Sequence, residues 1–212
     1  MCKALLGVYV FTGEDCNSAF KGKGKTKAIK LLQSNPEYLE IFAKLGESWE
    51  VGKDVYTGLE KFTCHLYGLP RFSKVNKARL FKLKAMCGNK RKINRKCKVE
   101  LYRLPPCKRS LYPHIRRVNY QLGRLKRSHI KIPEIPSPAP EHGWLISDDG
   151  VLEPQWTDGD ILPQELVDIL KPVHADTEDS DNSSEEGDSD EEREDIDGAD
   201  SAPDTDYSDS DL

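Results

Sequence analysis

The 212-residue chain is predicted to be mainly α-helical, with a small β-hairpin and a disordered acidic tail. Over several stretches apolar residues recur at offsets of three and four, the period of an amphipathic helix. Asp149-Gly150 separates two short apolar runs, as in a β-hairpin. From Ala175 onward the chain is rich in Asp, Glu and Ser and has few apolar residues, so it buries too little surface to offset the entropy of ordering.

Before residue 87 the sequence predicts four helices and one ambiguous segment. Ala4–Phe11 is short and apolar, and fits either a buried strand or the end of a helix. Helices are expected over Lys25–Gln33, Pro36–Leu45, Asp54–Tyr67 and Ser73–Met86. Asn35 and Asp54 are expected to cap the second and third of these, and Gly46 and Gly68 to end them. The last helix is expected to turn Val75, Ala78, Phe81 and Ala85 inward.

The second half of the basic region is expected to be one long helix. Cys87–Cys97 reads as a basic loop, and Val99–Leu104 as a short strand or extended segment. A helix over Lys108–Ser128 follows, with its arginines and lysines on the faces away from its apolar stripe. Its buried stripe consists of Leu111, Ile115, Val118, Leu122 and Leu125. In the hairpin, Trp144 and Trp156 are expected to face each other.

Charge divides the chain into two parts. Residues 1–132 contain 30 Lys and Arg and nine Asp and Glu, a net charge of +21, whereas residues 133–212 have a net charge of −25. A basic block is the footprint of a polyanionic partner, and an acidic block competes with that partner or recruits basic proteins. The expected organisation is a basic helical region (1–132), a Pro-rich linker (133–141), a hairpin with a short helix (142–171) and a disordered acidic tail (172–212).

Several protein classes do not fit the sequence. No apolar run approaches the length of a transmembrane helix, and the N-terminus lacks the features of a signal peptide. We therefore expect a nuclear or cytoplasmic protein that is neither secreted nor membrane-bound, with six reduced cysteines. Cys87, Cys97 and Cys107 lack the close pairing of a structural zinc site, so the sequence favours ordinary thiols.

A Lys/Gly loop before the Lys25–Gln33 helix is the clearest local signal of function. Its glycines leave backbone N–H groups open to an anion, and the following helix adds the positive end of its dipole. The residues expected to contact phosphate are Lys21, Gly22, Lys23, Gly24, Lys25 and Lys27. A solvated, flexible turn explains the same composition.

A nucleotide-binding P-loop is a second interpretation of this loop. Ala19–Thr26 reads Ala-x-x-x-x-Gly-Lys-Thr, which departs from the P-loop pattern by one residue. A P-loop directly follows a buried strand and needs a later apolar strand that ends in Asp to hold Mg²⁺. Here Thr12–Ser18 intervene and no such strand is evident, so the sequence does not favour a P-loop.

A third interpretation of the loop, a helix–two-turn–helix, comes from two resemblances. An apolar helix, a Phe11-Thr-Gly-Glu-Asp15 turn, a Gly22-Lys-Gly24 loop and an Ala/Leu helix resemble the helix–two-turn–helix of flap-endonuclease-like 5′-nucleases. Residues 1–170 also resemble the C-terminal part of an uncharacterised, transposon-derived animal protein family. The segments that carry this resemblance are Phe11–Lys25, Phe62–Gly68, Leu104–Cys107, His114–Gln121 and His142–Trp144. It implies a truncated, flap-endonuclease-like helical region and no established activity.

The resemblance to flap-endonuclease-like nucleases places Asp15 at the position of one metal ligand. Members of the transposon-derived family usually have Cys where this chain has Glu14. Two-metal hydrolysis requires several carboxylates that converge on ions about 4 Å apart. The nearest other acids, from Glu37 onward, lie on predicted amphipathic helices. Asp15 is therefore expected to be a turn residue. No cofactor is expected, and Mg²⁺ or Mn²⁺ is implied only if the chain belongs to a working nuclease.

Two further basic groups extend the expected nucleic-acid surface. These are Lys90, Arg91 and Lys92 in the basic loop, and Arg116 and Arg117 on the long helix. Charge runs are usually solvated faces, but so strong a net charge repels itself unless an anion is present. We therefore predict contact with the backbone of double-stranded or branched DNA, without sequence readout. The Lys90 group also resembles a nuclear import signal.

Three other hypotheses remain open at this stage. One is a metal-dependent nuclease completed by another chain or a longer isoform. Another is an interaction protein whose acidic tail binds histones or masks the basic block. The third is a transposon remnant without a selected function. Ser183, Ser189 and Ser208 each precede an acidic residue by three positions, so acidophilic phosphorylation is predicted there.

Overall fold

The structure, a computed structural model, describes residues 2–86 and 100–159. This part of the chain contains α1 (Cys2–Phe11), α2 (Lys25–Ser34), α3 (Glu37–Lys44), α4 (Lys53–Leu66), α5 (Val75–Met86) and α6 (Lys108–Lys126). It also contains β1 (Trp144–Ile146), β2 (Leu152–Pro154) and 3₁₀ turns at Leu101–Arg103 and Pro140–His142. The predicted mainly helical fold with a small hairpin is thus confirmed. The 3₁₀ turn at Leu101–Arg103 lies within Val99–Leu104, for which a strand or an extended segment was predicted. None of the described helices has the length and apolar character needed to cross a membrane.

Phe11, the last residue of α1, lies in the centre of the core. Its fully buried ring packs edge-on against Phe42 of α3 and Phe62 of α4, with centroids 5.5 and 5.9 Å apart. The ring of His114 on α6 approaches Phe11 to 5.3 Å. Such edge-to-face contacts add to the stabilisation from area burial. The ambiguous apolar segment is therefore a core helix that meets three other helices at one point.

Helix α4 buries the stripe that the sequence predicts, but two predicted caps are wrong. The buried stripe consists of Val55, Leu59, Phe62 and Leu66. Gly52 precedes α4 as its N-cap, and the Asp54 carboxylate pairs with Lys44 of α3 at 2.6 Å. The Asn35 side chain donates to the carbonyl of Leu31, at the end of α2. In both cases the preceding helix engages the side chain, which is then not available to cap the next helix.

Helix α5 enters the core only through its first turns. Val75 and Ala78 are fully buried as predicted, but Phe81 is 41% exposed and Ala85 is exposed as well. The ring of Phe81 packs instead against Phe72, with centroids 5.3 Å apart. The expected inward stripe is therefore wrong in its second half, because the later turns of α5 lie at the surface.

Helix α6 is buried on nearly all sides. Leu111, Ile115, Val118 and Leu122 are fully buried as predicted, whereas Leu125, in the last turns, is 40% exposed. Residues off this stripe are buried too, among them His114, Arg117, Asn119 and Tyr120. One side of α6 contacts α1 and α4, and another contacts the 3₁₀ turn at Pro140–His142. The spacing of apolar residues predicted one buried face of α6. The segment after residue 133 packs against α6 and buries a second face.

Asn119 ties the connection between α3 and α4 to α6. Its side-chain oxygen accepts the N–H of Gly46 at 2.7 Å, and its amide donates to the carbonyls of Ser48 and Trp49 at 2.9 and 3.0 Å. Gly46 has a φ of +75°, and a Cβ there would lie 2.6 Å from the backbone nitrogen of Gly123. Both the left-handed backbone and the close approach therefore require glycine.

The antiparallel hairpin forms as predicted, but its tryptophans do not face each other. Trp144 pairs with Pro154 in the register of the two strands. Trp156 lies beyond β2, and its ring centroid is 5.3 Å from the guanidinium of Arg117 on α6. Gly143 has a φ of +78°, and a Cβ there would lie 2.5 Å from the carbonyl oxygen of Pro113. Register thus separates the tryptophans, and a glycine lets the hairpin segment approach α6 closely.

Candidate functional site

Asp15 lies in a closed turn that follows α1. The backbones of Glu14 and Asn17 exchange hydrogen bonds of 3.1 and 3.0 Å, and the Asn17 amide donates to the Glu14 carboxylate at 2.8 Å. Asp15 is exposed between them. Over residues 2–86 and 100–159, no three Asp, Glu, His or Cys side chains lie close enough to hold a metal ion. The described residues therefore place Asp15 in a turn, without companion ligands.

The Lys/Gly loop presents open backbone immediately before α2. The N–H of Lys23 bonds to the carbonyl of Phe20 at 2.9 Å, in a turn where Gly22 has a φ of +71°. Gly24 is the N-cap of α2, and no side chain caps this helix. A Cβ at either glycine would meet no atom within 4 Å. The first N–H groups of α2 therefore stand at an open surface, at the positive end of the helix dipole.

The lysines of the loop lie over tyrosine rings. The Nζ atoms of Lys21, Lys23 and Lys25 are 4.5, 5.1 and 4.5 Å from the ring centroids of Tyr102, Tyr67 and Tyr9, respectively. Lys25 also donates to the carbonyl of Gly13. A ring face attracts a cation but carries no formal charge. The loop lysines are therefore positioned by these contacts while their positive charge is retained.

Four cations from separate elements form what we call the basic cluster: Lys23 of the loop, Lys27 of α2, Lys82 of α5 and Arg103 of the first 3₁₀ turn. Burial, together with the charges of Lys27, Lys82 and Arg103, lowers the pKa of Lys23. Burial, Lys27 and Arg103 lower the pKa of Lys82 in the same way. Among the described residues only Arg103 of this cluster has an acidic partner, Glu100. The cluster therefore repels itself, and a bound anion would relieve that repulsion.

Arg116 and Arg117 do not belong to this open surface. Arg116 forms a bidentate ion pair with Asp158, with distances of 2.8 and 3.2 Å. Arg117 is 2% exposed and donates to the backbone carbonyls of Gly143 and Gln155. Arg116 and Arg117 were expected to contact nucleic acid, but residues 143–158 run along α6 and engage both side chains. Neither guanidinium is free to contact a backbone phosphate at the surface.

A cavity of about 300 Å³ lies beside the loop. Its wall includes the aromatic residues Phe20, Tyr67, Tyr102 and Trp156 and the cations Lys21, Arg79 and Arg117. No carboxylate is among the described residues of its wall. Four of the five segments that carry the sequence resemblance contribute to this wall. Sequence analysis missed the cavity because its residues are far apart in the chain and no local pattern connects them.

His114 also lines the cavity, and it is neutral at physiological pH because burial lowers its pKa to about 4. The carbonyl of Phe11 lies 2.9 Å from Nε2 and can only accept a hydrogen bond, so Nε2 carries the proton. The hydroxyl of Ser18 then donates to Nδ1 at 3.4 Å. Among the described residues no carboxylate bonds to this ring, so the pair lacks the third member of a Ser-His-acid triad.

Cys64, which was not among the predicted site residues, is buried, and burial raises the pKa of its thiol to about 12, which makes it unreactive. Several predicted sites lie outside the described residues: Lys90, Arg91 and Lys92 in the basic loop, and Ser183, Ser189 and Ser208 in the acidic tail. The structure therefore bears on the Lys/Gly loop and on α6, and leaves the basic loop and the tail as predictions.

Comparisons with known proteins identify no relative. No protein-family model matches the chain, and neither a curated protein nor a solved structure shows significant similarity to it.

Proposed function

We propose that the chain binds the phosphate backbone of a nucleic acid, without reading its sequence, through the basic cluster and the N-terminal end of α2. One observation carries this proposal. Lys23, Lys27, Lys82 and Arg103 are brought together from separate elements, and only Arg103 has a described acidic partner. A fold that places like charges side by side sacrifices stability at that surface, and a polyanion restores it.

The open backbone of the loop supports contact with phosphate. Gly22 and Gly24 stand clear of neighbouring atoms, and α2 has no side-chain cap. Its first N–H groups thus lack the side-chain acceptor that commonly occupies this position. A phosphate oxygen provides such an acceptor and also interacts favourably with the helix dipole. Lysines and backbone N–H groups contact phosphates of any sequence, so we expect little discrimination between bases.

The proposal extends to a structural relation with flap-endonuclease-like nucleases and to an origin in a transposon-derived family. Helix α1, the turn at residues 14–17, the glycine loop and α2 follow one another in the order of a helix–two-turn–helix. We propose no catalytic step for the described residues, because Asp15 has no companion ligands among them.

Binding of the full-length chain to a DNA duplex, measured by fluorescence anisotropy over a range of salt concentrations, tests this function. Each phosphate contact releases counterions, so the logarithm of the binding constant falls linearly with the logarithm of salt concentration. We expect Lys23→Gln and Lys82→Gln each to reduce that slope by about 1. Lys53→Gln, which removes an exposed lysine at the start of α4, is the control and should leave the slope unchanged. Equal slopes for cluster variants and wild type would refute the proposal.

A further inference from the structure

A buried guanidinium without an acidic partner lies in the wall of the cavity. Arg117 is 2% exposed, and Gly143 and Gln155 accept hydrogen bonds from its Nη1 alone. Within the described residues its Nε and Nη2 have no hydrogen-bond partner, while the carboxylate of Asp158 is bound by Arg116. A buried charge that is only partly compensated is unfavourable. Burial accordingly lowers the pKa of Arg117 to about 10. An anionic ligand in the cavity would neutralise this charge.

Two further cations line the same cavity. Arg79 donates from Nη1 to the carbonyl of Pro105 at 2.6 Å, and the ammonium of Lys21 lies 4.5 Å from the ring centroid of Tyr102. With Arg117 they give the described part of the wall three positive charges and no negative one. The planar fork of N–H groups on arginine matches the paired oxygens of a phosphate. The cavity therefore selects for an anion.

The rest of the wall is suited to a planar ring. Tyr102 and Trp156 are 42% and 62% exposed, whereas Tyr67 is buried. Aromatic faces stack on nucleobases with little dependence on base identity. The ring of Trp156 is 5.3 Å from the guanidinium of Arg117, so an aromatic surface and an anion site lie next to each other. The volume of about 300 Å³ is at the lower end of the range for small-molecule sites, about 300–1,000 Å³.

We propose that this cavity binds a nucleoside monophosphate, with its phosphate at the guanidinium of Arg117 and its base against the exposed aromatic rings. A free mononucleotide and an unpaired nucleotide at the end of a strand present the same groups. The inference goes beyond backbone binding and does not depend on it, because no residue of the basic cluster lines the cavity.

Isothermal titration calorimetry of the full-length chain with adenosine monophosphate, adenosine and inorganic phosphate tests the proposal. We expect adenosine monophosphate to bind, and the other two each to bind at least about tenfold more weakly, because each lacks one of the recognised groups. Equal affinity for inorganic phosphate and adenosine monophosphate would overturn the aromatic contact. Equal affinity for adenosine would overturn the anion site, and no binding of the mononucleotide would overturn the whole inference.

Variants of the cavity wall locate the binding. Arg117→Gln is expected to abolish binding, and its folding is checked by urea denaturation because the side chain is buried. Tyr102→Leu, at an exposed position, is expected to weaken binding about tenfold through loss of stacking. Tyr102→Phe keeps the ring and should retain the affinity, and Lys53→Gln is the control for charge. Wild-type affinity in a folded Tyr102→Leu variant would overturn the assignment, whatever the fate of Arg117→Gln.

Competition distinguishes the two sources of the ligand. If a linear oligonucleotide displaces the bound mononucleotide and a circular one of the same sequence does not, the cavity binds the end of a strand. If neither oligonucleotide displaces the mononucleotide, the cavity binds a free nucleotide. Each of these two results supports the proposed chemistry. Displacement equally by both would show that the mononucleotide occupies the basic surface and would overturn the inference. The double variant Lys23→Gln/Lys82→Gln should lose duplex affinity yet keep mononucleotide affinity, so each proposal fails separately.

Discussion

The cations of α6 and those of the basic cluster have different partners. In α6 the ammonium of Lys126 donates to the carbonyl of Ala43 at 2.7 Å, and Arg116 pairs with Asp158. In the basic cluster Lys23 has an aromatic ring and three other cations as neighbours. Charges of the first kind join α6 to neighbouring segments of the chain, and charges of the second kind repel each other. The partners of a cation therefore indicate its role better than the number of cations in a segment does.

Protonation of His114, a buried residue of α6, is expected to cause the largest change in the free energy of unfolding. His114 has a pKa near 4 in the folded chain because it is buried, against 6.5 ordinarily. The unfolded chain therefore takes up the proton first, and the free energy of unfolding falls as pH drops from about 6.5 towards 4. The full shift corresponds to a loss of about 3 kcal/mol.

Urea denaturation at several pH values measures this loss. Carboxylates elsewhere in the chain also titrate at low pH, so the relevant quantity is the difference between wild type and His114→Gln. We expect that variant to have a smaller slope of stability against pH over the interval. Parallel curves for the two proteins would show that His114 is not the responsible group.

Asn119→Ala tests the link between α6 and the connection after α3. The substitution leaves the buried N–H of Gly46 and the carbonyls of Ser48 and Trp49 without their partner. We expect a loss of about 2–3 kcal/mol in the free energy of unfolding, measured in urea. Gln121→Ala is a matched control on the same helix and should cost less than about 0.5 kcal/mol. A similar small cost for both would mean that this link contributes little.

Arg127→Ala tests whether a cation at the end of α6 has a structural role. Its guanidinium donates to the carbonyls of Gly46, Glu47 and Gly123. We expect the variant to lose about 1–2 kcal/mol of stability, because these carbonyls lose a charged donor. Arg124→Ala removes an exposed cation from the same helix and should be nearly neutral. If both variants were neutral, the α6 cations would resemble the basic cluster and the comparison would fail.

Lys23→Gln is expected to change stability the least, and it discriminates best between a structural role and a binding role of this lysine. It removes a cation whose pKa is lowered by burial and by the neighbouring charges of Lys27, Lys82 and Arg103. We expect stability to stay within about 0.5 kcal/mol of wild type, or to rise slightly, because repulsion is relieved. Duplex affinity should fall in the same variant. A clear loss of stability would instead identify Lys23 as a structural residue.

Periodicity was enough to predict α2 to α6 and much of the core, whereas it left α1 ambiguous between a strand and a helix. The stripe of α4 and the first four apolar positions of α6 are buried as expected, because a helix must cover its apolar face. The same rule does not account for Arg117, which lies off the apolar stripe and is nevertheless buried. Residues 133–158 cover the side of α6 that carries Arg117. The local sequence of the helix does not predict this covering segment.

Sequence analysis predicted part of the site and missed how it is assembled. Lys23 and Lys27 were identified from the glycine loop, because such loops favour anions by their backbone geometry. Lys82 and Arg103 join them only through the packing of α5 and the 3₁₀ turn. Likewise Tyr102 and Trp156 reach the cavity from distant segments. Local patterns predict local geometry, and the meeting of separate segments depends on the tertiary fold.

The most direct test is the salt dependence of duplex binding by two double variants of equal charge. Lys23→Gln/Lys82→Gln removes two cations of the basic cluster, and Lys53→Gln/Lys77→Gln removes two exposed lysines outside it. We predict that the first variant lowers the salt slope by about 2 and that the second leaves it at the wild-type value. Equal slopes in the two variants would show that binding follows net charge alone, and would contradict the assignment of function to the basic cluster.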